Sequence, residues 1–324
     1  MSDVILRVFF AMVFALAFGF IFIHYFILLA RKMGLGQSVR LDGPKRHLPK
    51  EGIPTAAGLV IWSGVILSAC LWANLKDTFV QIALWVILSF GCIGFVDDVL
   101  KIKRGEGRGF SIRNKLLLQG VVALATAGWI YIATNGSSNL HIPVAGCDLD
   151  LGLFYILFAA AVIFFFSNAV NLTDGLDGMV TVPSLCTMLV LLLFCYIGQV
   201  GELMVVLGAA SGSLIAFLWY NCYPARVFMG DTGSLPLGAL LGMSALAVKQ
   251  EILFFIAGGL FILEALSVFL QIFSFRLREK RIFKMAPLHH HYELKGWPEP
   301  MVVVKFWIIS IILAAVSVGV LRIG

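Results

Sequence analysis

Long apolar segments recur along the whole chain, and each has about the length that crosses a lipid bilayer. A helix needs about 20 apolar residues to span the hydrocarbon core. These segments must be helical, because lipid satisfies no exposed backbone and they lack the alternation of barrel strands. The ten predicted spans are residues 5–30, 54–74, 79–96, 115–134, 151–170, 180–199, 202–220, 234–248, 251–275 and 302–322. The sequence therefore predicts an all-α, polytopic integral membrane protein with ten transmembrane helices.

The composition agrees with that prediction. Hydrophobic residues make up 60% of the 324 and charged residues 13%, whereas soluble proteins average about 45–50% and about 25%. The six cysteines form no C-x-x-C pair, which argues against a disulfide or zinc framework. The first apolar run is too long for the hydrophobic part of a signal peptide, so we interpret it as span 1. We expect residues 1–324 to form one membrane domain.

The distribution of Lys and Arg predicts the orientation of the spans. Most of the 24 basic residues lie in the connections after spans 1, 3 and 9, and residues 135–150 contain none. Basic connections are retained in the cytoplasm, so the odd-numbered connections are predicted to be cytoplasmic and both termini extracytoplasmic. The predicted cytoplasmic loops are about 31–53, 97–114, 171–179, 221–233 and 276–301.

Two adjacent aspartates follow the third span, where residues 95–101 read FVDDVLK. Acids at the depth of the membrane are costly and are functional candidates by default. Adjacent carboxylates also repel each other unless a cation shares them. We therefore interpret Asp97 and Asp98 as metal ligands, as a general base, or as one of each, rather than as an interfacial anchor paired with Lys101.

Two other predicted cytoplasmic loops place acids among glycines. In NAVNLTDGLDG (168–178), Asp174 and Asp177 lie three residues apart, a spacing that shares one face of a helix. In FMGDTGS (228–234), Asp231 lies between glycines ahead of a helix N-terminus, a setting that suits a phosphate. A simple turn or helix cap needs fewer polar residues, so both loops are predicted to bind a ligand.

Three consecutive histidines lie in the last cytoplasmic loop, where residues 286–293 read APLHHHYE. A histidine cluster can bind zinc, although zinc ligands are usually spaced apart. It can also bind phosphate oxygens or act as an acid or base. These alternatives remain open on the residues alone.

Together, the loops combine oxygen ligands with many basic residues. Mg²⁺ typically binds one or two carboxylates together with substrate phosphates. The residues thus predict a magnesium-assisted phosphoryl or phosphosugar transfer at the boundary between membrane and cytoplasm, with one soluble anionic substrate and one lipid substrate. A Walker A motif and a G-x-G-x-x-G motif are both absent from the sequence, which argues against a P-loop enzyme.

The motifs FVDDVLK, NAVNLTDGLDG, NCYPARVFMGDTGS and APLHHHYE, in this order between ten spans, resemble those of the phospho-N-acetylmuramoyl-pentapeptide transferases. That family belongs to the polyprenyl-phosphate N-acetylhexosamine-1-phosphate transferase superfamily. The first loop, GPKRHLPKEGIPTAAG (43–58), is also similar, although it has PTAAG where the family has PTMGG. The similarity covers essentially the whole chain.

The resemblance implies a specific reaction and setting. Phospho-MurNAc-pentapeptide would pass from UDP-MurNAc-pentapeptide to undecaprenyl phosphate, giving lipid I and UMP in the first membrane step of peptidoglycan synthesis. The implied cofactor is Mg²⁺. The implied location is the bacterial inner (cytoplasmic) membrane, with the active site on the cytoplasmic face. A homodimer and inhibition by nucleosides that mimic the UDP-sugar are also implied, and a nucleic-acid partner is not.

The resemblance also assigns roles to individual residues. Asp98 would deprotonate the polyprenyl phosphate beside Asp97, and Asp231 would bind magnesium. The expected catalytic residues are Asp97, Asp98, Asp231 and His290. Residues expected to hold phosphates are Lys101, Lys115 and Asn171. The expected uridine and sugar contacts are Lys50, Asp174, Gly175, Leu176, Asp177, Asn221, Phe228 and Gln271, and His289, His290 and His291 would line the pyrophosphate and sugar side.

Two alternative functions remain on the sequence alone. The first is a related enzyme that transfers GlcNAc-1-phosphate to the same lipid, and the histidine run argues against it. The second is a transporter of an anionic solute, which would place its acids near mid-membrane rather than at one edge. Glu264 is the one acid predicted deep within a span. It is either a polar contact between helices or a support for the site.

Overall fold

The computed structural model describes residues 2–34, 36, 50–104, 109–143 and 146–321. Most of the first predicted loop, including its GPKRHLP segment, lies outside these residues. The helices are α1 (Ser2–Lys32), α2 (Gly58–Trp72), α3 (Thr78–Arg104), α4 (Ile112–Ala133), α5 (Phe154–Thr173), α6 (Thr181–Ile197), α7 (Gly201–Asn221), α8 (Asp231–Ala247), α9 (Glu251–Ala257), α10 (Gly259–Arg278), α11 (Leu288–Leu294) and α12 (Glu299–Leu321). The strands are β1 (Asn139–Ile142) and β2 (Cys147–Asp150).

The helical prediction is confirmed in outline. Among the described residues, seven helices are long and apolar enough to cross a membrane, namely α1, α3, α4, α5, α7, α10 and α12. Helices α2 and α6 are apolar but shorter, and α8 has 17 residues. The protein is thus a helical, multi-pass membrane protein, and the number of ten spans remains a prediction.

Two features differ from the predicted pattern. The ninth span is not one continuous helix, because the chain breaks between α9 and α10 at Gly258, and paired glycines are a common cause of such breaks. The connection between α4 and α5 contains an antiparallel hairpin of β1 and β2, with Asn139 opposite Asp150. An all-helical interpretation missed this hairpin, because four-residue strands carry little periodicity.

Helix α8 forms the centre of the bundle, and all 17 of its residues are buried. Its sequence, DTGSLPLGALLGMSALA, is rich in small residues, which let helix backbones approach closely within a membrane. A Cβ on Gly238 would overlap the backbone of α5 at Phe166, and a Cβ on Gly94 would overlap the backbone of α8 at Asp231. The N-terminus of α8 is therefore held directly against α3.

The bundle has two distinct ends. We call the end with the C-terminus of α3 and the N-terminus of α8 the site end. At the opposite end, the hairpin end, Arg7 donates two hydrogen bonds to Glu202, at 2.6 and 3.0 Å. The backbone N–H of Asn74 donates to the same carboxylate at 2.7 Å. These contacts join α1, the segment after α2, and α7 on the side away from the site.

Candidate active site

Three carboxylates converge at the site end. Asp97 and Asp98 belong to the last turns of α3, and Asp231 is the first residue of α8. They are 2%, 3% and 8% exposed. One oxygen from each lies within 4.8 Å of the others. The close approach of α3 and α8 at Gly94 brings these residues together from positions more than 130 apart in the sequence.

Asp98 caps the N-terminus of α8 from another helix. Its Oδ1 accepts a hydrogen bond from the N–H of Asp231 at 3.1 Å, and its Oδ2 accepts one from the N–H of Thr232 at 2.9 Å. The hydroxyl of Thr232 also donates to Oδ2, at 2.6 Å. Gly230 precedes the helix with φ of 71°, and a Cβ there would overlap Oδ2 of Asp98. The free N–H groups of a helix start are satisfied here by a carboxylate, which the helix dipole also favours.

Two lysines lie among the three acids. Lys101 Nζ is 2.6 Å from Asp97 Oδ2 and 3.1 Å from Asp231 Oδ2. Lys115 Nζ is 3.4 Å from Asp97 Oδ2 and also pairs with Asp231 Oδ2. Asp97 in addition accepts the backbone N–H of Phe110 at 2.6 Å. The acids are thus held close together because cations share them, as the sequence interpretation requires.

The same acids form a donor set that fits a hard divalent cation. The site offers buried carboxylate oxygens, and Mg²⁺ prefers oxygen ligands. The side-chain N–H groups of Asn171 donate to Asp231 Oδ1 at 2.9 Å and to Ser234 Oγ at 2.7 Å, which orients the Asp231 carboxylate. Among the described residues this is the one group of three or more His, Cys, Asp or Glu ligands with such spacing.

A second group of polar residues surrounds the turn of residues 174–178, which follows α5. Lys50 Nζ lies 2.6 Å from Asp177 Oδ1 and 2.6 Å from Glu299 Oε1. Glu299 also accepts the backbone N–H of Asp177, at 2.8 Å. The remaining oxygen of Asp177 accepts the N–H of Ala225 at 2.8 Å. Burial would lower the pKa of Lys50, but its bonds to the two acids raise it overall, so Lys50 stays charged.

The same turn is tied to the segment before α8. Asn221 accepts the N–H of Gly178 at 2.9 Å and donates to the carbonyl of Val227 at 2.9 Å. The backbone of Phe228 pairs with the segment before α2, through a bond from its N–H to the carbonyl of Pro54 at 2.8 Å. The sequence predicted both Asn221 and Phe228 as ligand contacts, and here their polar groups join the turn of residues 174–178 to the segments before α8 and α2.

Asp174 lies between the two groups of residues. Loss of water contact, together with the nearby carboxylates of Asp231 and Asp98, raises the pKa of Asp174 well above its usual value. The ionised form of a carboxyl group in this position is stabilised by any cation or hydrogen-bond donor that a ligand brings. Gly175 and Leu176, also predicted as contacts, complete the turn, and Leu176 is buried.

The three histidines have three different environments. His289 is fully buried and its Nδ1 lies 2.9 Å from Glu264 Oε2. His290 Nδ1 lies 2.8 Å from Glu293 Oε2. His291 Nδ1 accepts the backbone N–H of Lys284 at 3.0 Å. Each histidine side chain of the run therefore contacts a different partner, and the three do not converge on one metal site.

Gln271 is engaged with the loop after α10 rather than with the acidic cluster. Its Oε1 accepts the N–H groups of Ile282 at 3.1 Å and Phe283 at 2.9 Å, and its Nε2 donates to the carbonyl of Phe283 at 3.0 Å. The predicted sugar contact thus fixes, in this structure, the segment that leads to the histidine run.

Sequence interpretation missed Glu299, Thr232 and Ser234 as parts of the site. Glu299 lies 249 residues from its partner Lys50, so no local pattern reveals the pair. Thr232 and Ser234 were interpreted as cap residues of their own helix, whereas Thr232 bonds to Asp98 and Ser234 accepts from Asn171. The sequence indicated Glu264 as an acid within a span, but it did not indicate that His289 is its partner.

Comparison with known proteins identifies relatives of this chain. Residues 80–249 match glycosyl transferase family 4. A phospho-N-acetylmuramoyl-pentapeptide-transferase of Desulfatibacillum aliphaticivorans is 46% identical over 334 aligned residues, covering 98% of this chain and 93% of that protein. Proteins of the same name from Desulforapulum autotrophicum and Bartonella quintana are each 45% identical, covering 90% and 91% of this chain and 86% of each relative. The chain therefore belongs to the phospho-N-acetylmuramoyl-pentapeptide-transferase family.

Proposed function

We propose that this protein transfers phospho-MurNAc-pentapeptide from UDP-MurNAc-pentapeptide to undecaprenyl phosphate, with lipid I and UMP as products. The observation that carries the proposal is the cluster of Asp97, Asp98 and Asp231 with two lysines, at one end of a membrane bundle. A soluble nucleotide sugar and a lipid phosphate meet naturally at such a boundary. The relatives at 45–46% identity carry the name of this activity.

The chemistry is one exchange at phosphorus. An oxygen of the lipid phosphate attacks the phosphorus attached to the sugar, the bond from that phosphorus to the bridging oxygen breaks, and UMP leaves. Asp98 removes the residual proton of the lipid phosphate, which is already nucleophilic once ionised. Lys101 and Lys115 offset the negative charge of the phosphates. Direct attack by the lipid phosphate, without a covalent enzyme intermediate, is the route we favour.

Asp231 is the proposed magnesium ligand, supported by the oxygen donor set and by the orienting bond from Asn171. When bound, Mg²⁺ would neutralise the leaving pyrophosphate oxygens. Lys101 and Lys115 would then move from the carboxylates towards the substrate phosphates, because cations sharing one acidic cluster repel each other.

The region around the turn of residues 174–178 is the proposed site for the uridine and sugar of the donor. Its contacts would come from Lys50, Asp174, Asp177 and Phe228, and His290 would face the pyrophosphate. The proposal is supported by the proximity of Asp174 to the acidic cluster. The carboxylates of Asp231 and Asp98 lie close enough to help raise the pKa of Asp174. Gln271 would reach the sugar after releasing the loop that it now holds.

We further propose that the bundle has ten spans in the bacterial inner membrane, with the site end facing the cytoplasm. The basic loops next to spans 1, 3 and 9 support this orientation. Cysteine labelling at the hairpin, for example at Cys147 in spheroplasts, would test it. Labelling of Cys147 only after membrane rupture would contradict the proposed orientation.

The decisive test is an assay of the purified protein with both substrates. We expect UMP release and lipid I formation from UDP-MurNAc-pentapeptide and undecaprenyl phosphate, both dependent on Mg²⁺ and abolished by EDTA. UDP-GlcNAc serves as the donor control. Turnover of UDP-GlcNAc with no turnover of the muramoyl donor would overturn the proposed substrate, and no UMP release from either would overturn the proposed activity.

A further inference from the structure

A buried acid and a buried histidine form a pair that the acidic cluster does not include. Glu264 belongs to α10 and His289 to the first turn of α11, and both are 0% exposed. His289 Nδ1 and Glu264 Oε2 are 2.9 Å apart. The contact joins α10 to the start of the histidine run, across 25 residues of chain.

Each member of this pair has one polar atom left without a partner. Within the described part of the chain, Glu264 Oε1 and His289 Nε2 are buried and accept or donate no hydrogen bond. Unpaired buried polar atoms cost stability, and well-packed apolar residues commonly serve as well as a buried ionic pair. Packing alone is therefore a poor explanation for the pair.

The free nitrogen of His289 faces the turn of residues 174–178. A Cβ built on Gly175 would overlap Nε2 and the neighbouring ring carbons. The imidazole thus lies directly against the backbone of Gly175, between Asp174 and Asp177. Only glycine leaves room for the ring at this position. The ring therefore fixes how far the turn can move towards α11.

Glu264 determines which nitrogen of the ring carries hydrogen. An ionised carboxylate only accepts hydrogen bonds, so Nδ1 of His289 must donate to it. A carboxylate that holds the proton on one ring nitrogen also fixes the orientation of the ring, as in carboxylate–histidine pairs that support metal and catalytic sites. Nε2 is then the nitrogen presented to the turn.

We propose that Glu264 is a positioning residue for the nucleotide-sugar donor, and that it acts through His289 on the turn at Gly175. This inference rests on the proposed function, because it assigns the 174–178 turn to donor binding. It adds a second support to the turn, at Gly175, to the one that Lys50 and Glu299 provide at Asp177. The acceptor lipid phosphate does not depend on it.

The test measures the KM of each substrate separately in Glu264→Ala, Glu264→Gln and His289→Ala. We expect the donor KM to rise about tenfold in Glu264→Ala, the loss expected for a buried hydrogen bond to a charged group, with the acceptor KM within about twofold. In the double variant Glu264→Ala with His289→Ala, the donor KM should rise no more than in His289→Ala alone. Glu264 acts only through His289, so its loss has no further effect once the histidine is gone.

Glu251 provides a matched control at the hairpin end. It is also 0% exposed, accepts a hydrogen bond from Tyr155 at 2.6 Å, and has an unpaired Oε2. Glu251→Gln makes the same chemical change as Glu264→Gln in an equally buried place, and should leave the donor KM unchanged. A further readout is the ¹⁵N spectrum of labelled histidine, in which His289 should lose its fixed Nδ1–H form in Glu264→Ala.

Two results would overturn the inference. One is a wild-type donor KM in Glu264→Ala or, if that variant does not fold, in Glu264→Leu, which fills the space but has no oxygen to accept a hydrogen bond from His289. The other is an equal rise in donor and acceptor KM, as a general loss of structure would cause. Failure of the wild-type protein to use UDP-MurNAc-pentapeptide would instead contradict the proposed function, and is seen before any variant is made.

Discussion

Asp98 and Thr232 are joined by two hydrogen bonds, one from the backbone N–H of Thr232 at 2.9 Å and one from its hydroxyl at 2.6 Å, both to the same carboxylate oxygen. The proposed catalytic base therefore also holds α8 to α3. A base whose oxygens accept hydrogen bonds from a helix N-terminus has a fixed orientation, because those bonds determine which lone pairs remain to accept a proton.

The hydroxyl of Thr232 should contribute to stability through this contact. We expect Thr232→Val to lower the free energy of unfolding by about 1 kcal/mol, because a buried carboxylate loses one donor. Thr232→Ser keeps the hydroxyl and serves as the control. Thermal unfolding of the two variants in detergent gives the comparison, and equal midpoints for Thr232→Val and the wild type would show that the bond is dispensable.

Asp231 and Asp97 should differ in how strictly the reaction needs them. Asp231→Asn should abolish Mg²⁺-dependent UMP release, since the proposed metal ligand loses its charge. Asp97→Asn should retain some activity, because an amide oxygen can still accept from the N–H of Phe110. Mn²⁺ binding followed by electron paramagnetic resonance gives a readout besides turnover. Full transferase activity in purified Asp231→Asn would contradict the proposed role of Asp231 as a metal ligand.

The contact of Lys50 with Asp177 and Glu299 should support donor binding rather than the chemical step. Lys50→Met leaves the buried carboxylate of Asp177 and the half-buried one of Glu299 without their cation, and we expect a rise in donor KM of about tenfold or more. Glu299→Gln should give a smaller rise in the same parameter. Glu51→Gln, an exposed neighbour, is the matched control and should behave as wild type. A fall in kcat with unchanged KM would place Lys50 in the reaction instead.

Gly230 should tolerate no side chain. Its φ of 71° favours glycine, and a Cβ there would overlap Asp98 Oδ2. We expect Gly230→Ala to lose activity and about 1–3 kcal/mol of stability from the backbone conformation alone, because a positive φ with extended ψ is essentially limited to glycine. Gly120 in α4 has no heavy atom within 4 Å of its Cβ position. Gly120→Ala is thus the control, expected to be neutral or stabilising, and equal losses in both variants would contradict the steric argument.

Much of the fold could be predicted because membrane helices have strong and simple signals. The long apolar runs predict α1, α3, α5, α7 and α12 directly. The break at Gly258 and the short hairpin could not be predicted, since both depend on local packing that hydropathy averages over. The number of spans also depends on α2, α6 and α8, whose 15 to 17 helical residues lie near the limit of length.

The site was predictable as a list of residues, but not as a set of contacts. Asp97, Asp98 and Asp231 were recognisable because acids are unusual beside apolar runs. Their partners were not, since Lys115 reaches Asp231 across 116 positions and Glu299 reaches Lys50 across 249. Long-range pairs of this kind carry no periodicity, so only the packing of α4 against α8, and of α12 against the segment before α2, reveals them.

Three backbones meet at the site end where Gly58, Gly94 and Gly233 leave no space between α2, α3 and α8. These helices cannot shift independently without colliding. The cluster of Asp97, Asp98 and Asp231 is therefore rigid, and every substrate meets it in the same arrangement. Any drift in donor preference during evolution would have to occur in the surrounding loops, where exposed positions can accept new side chains. An engineer who wishes to alter the accepted sugar should therefore diversify the exposed positions 222–224 and 226, and leave the glycine contacts, including Gly175, untouched.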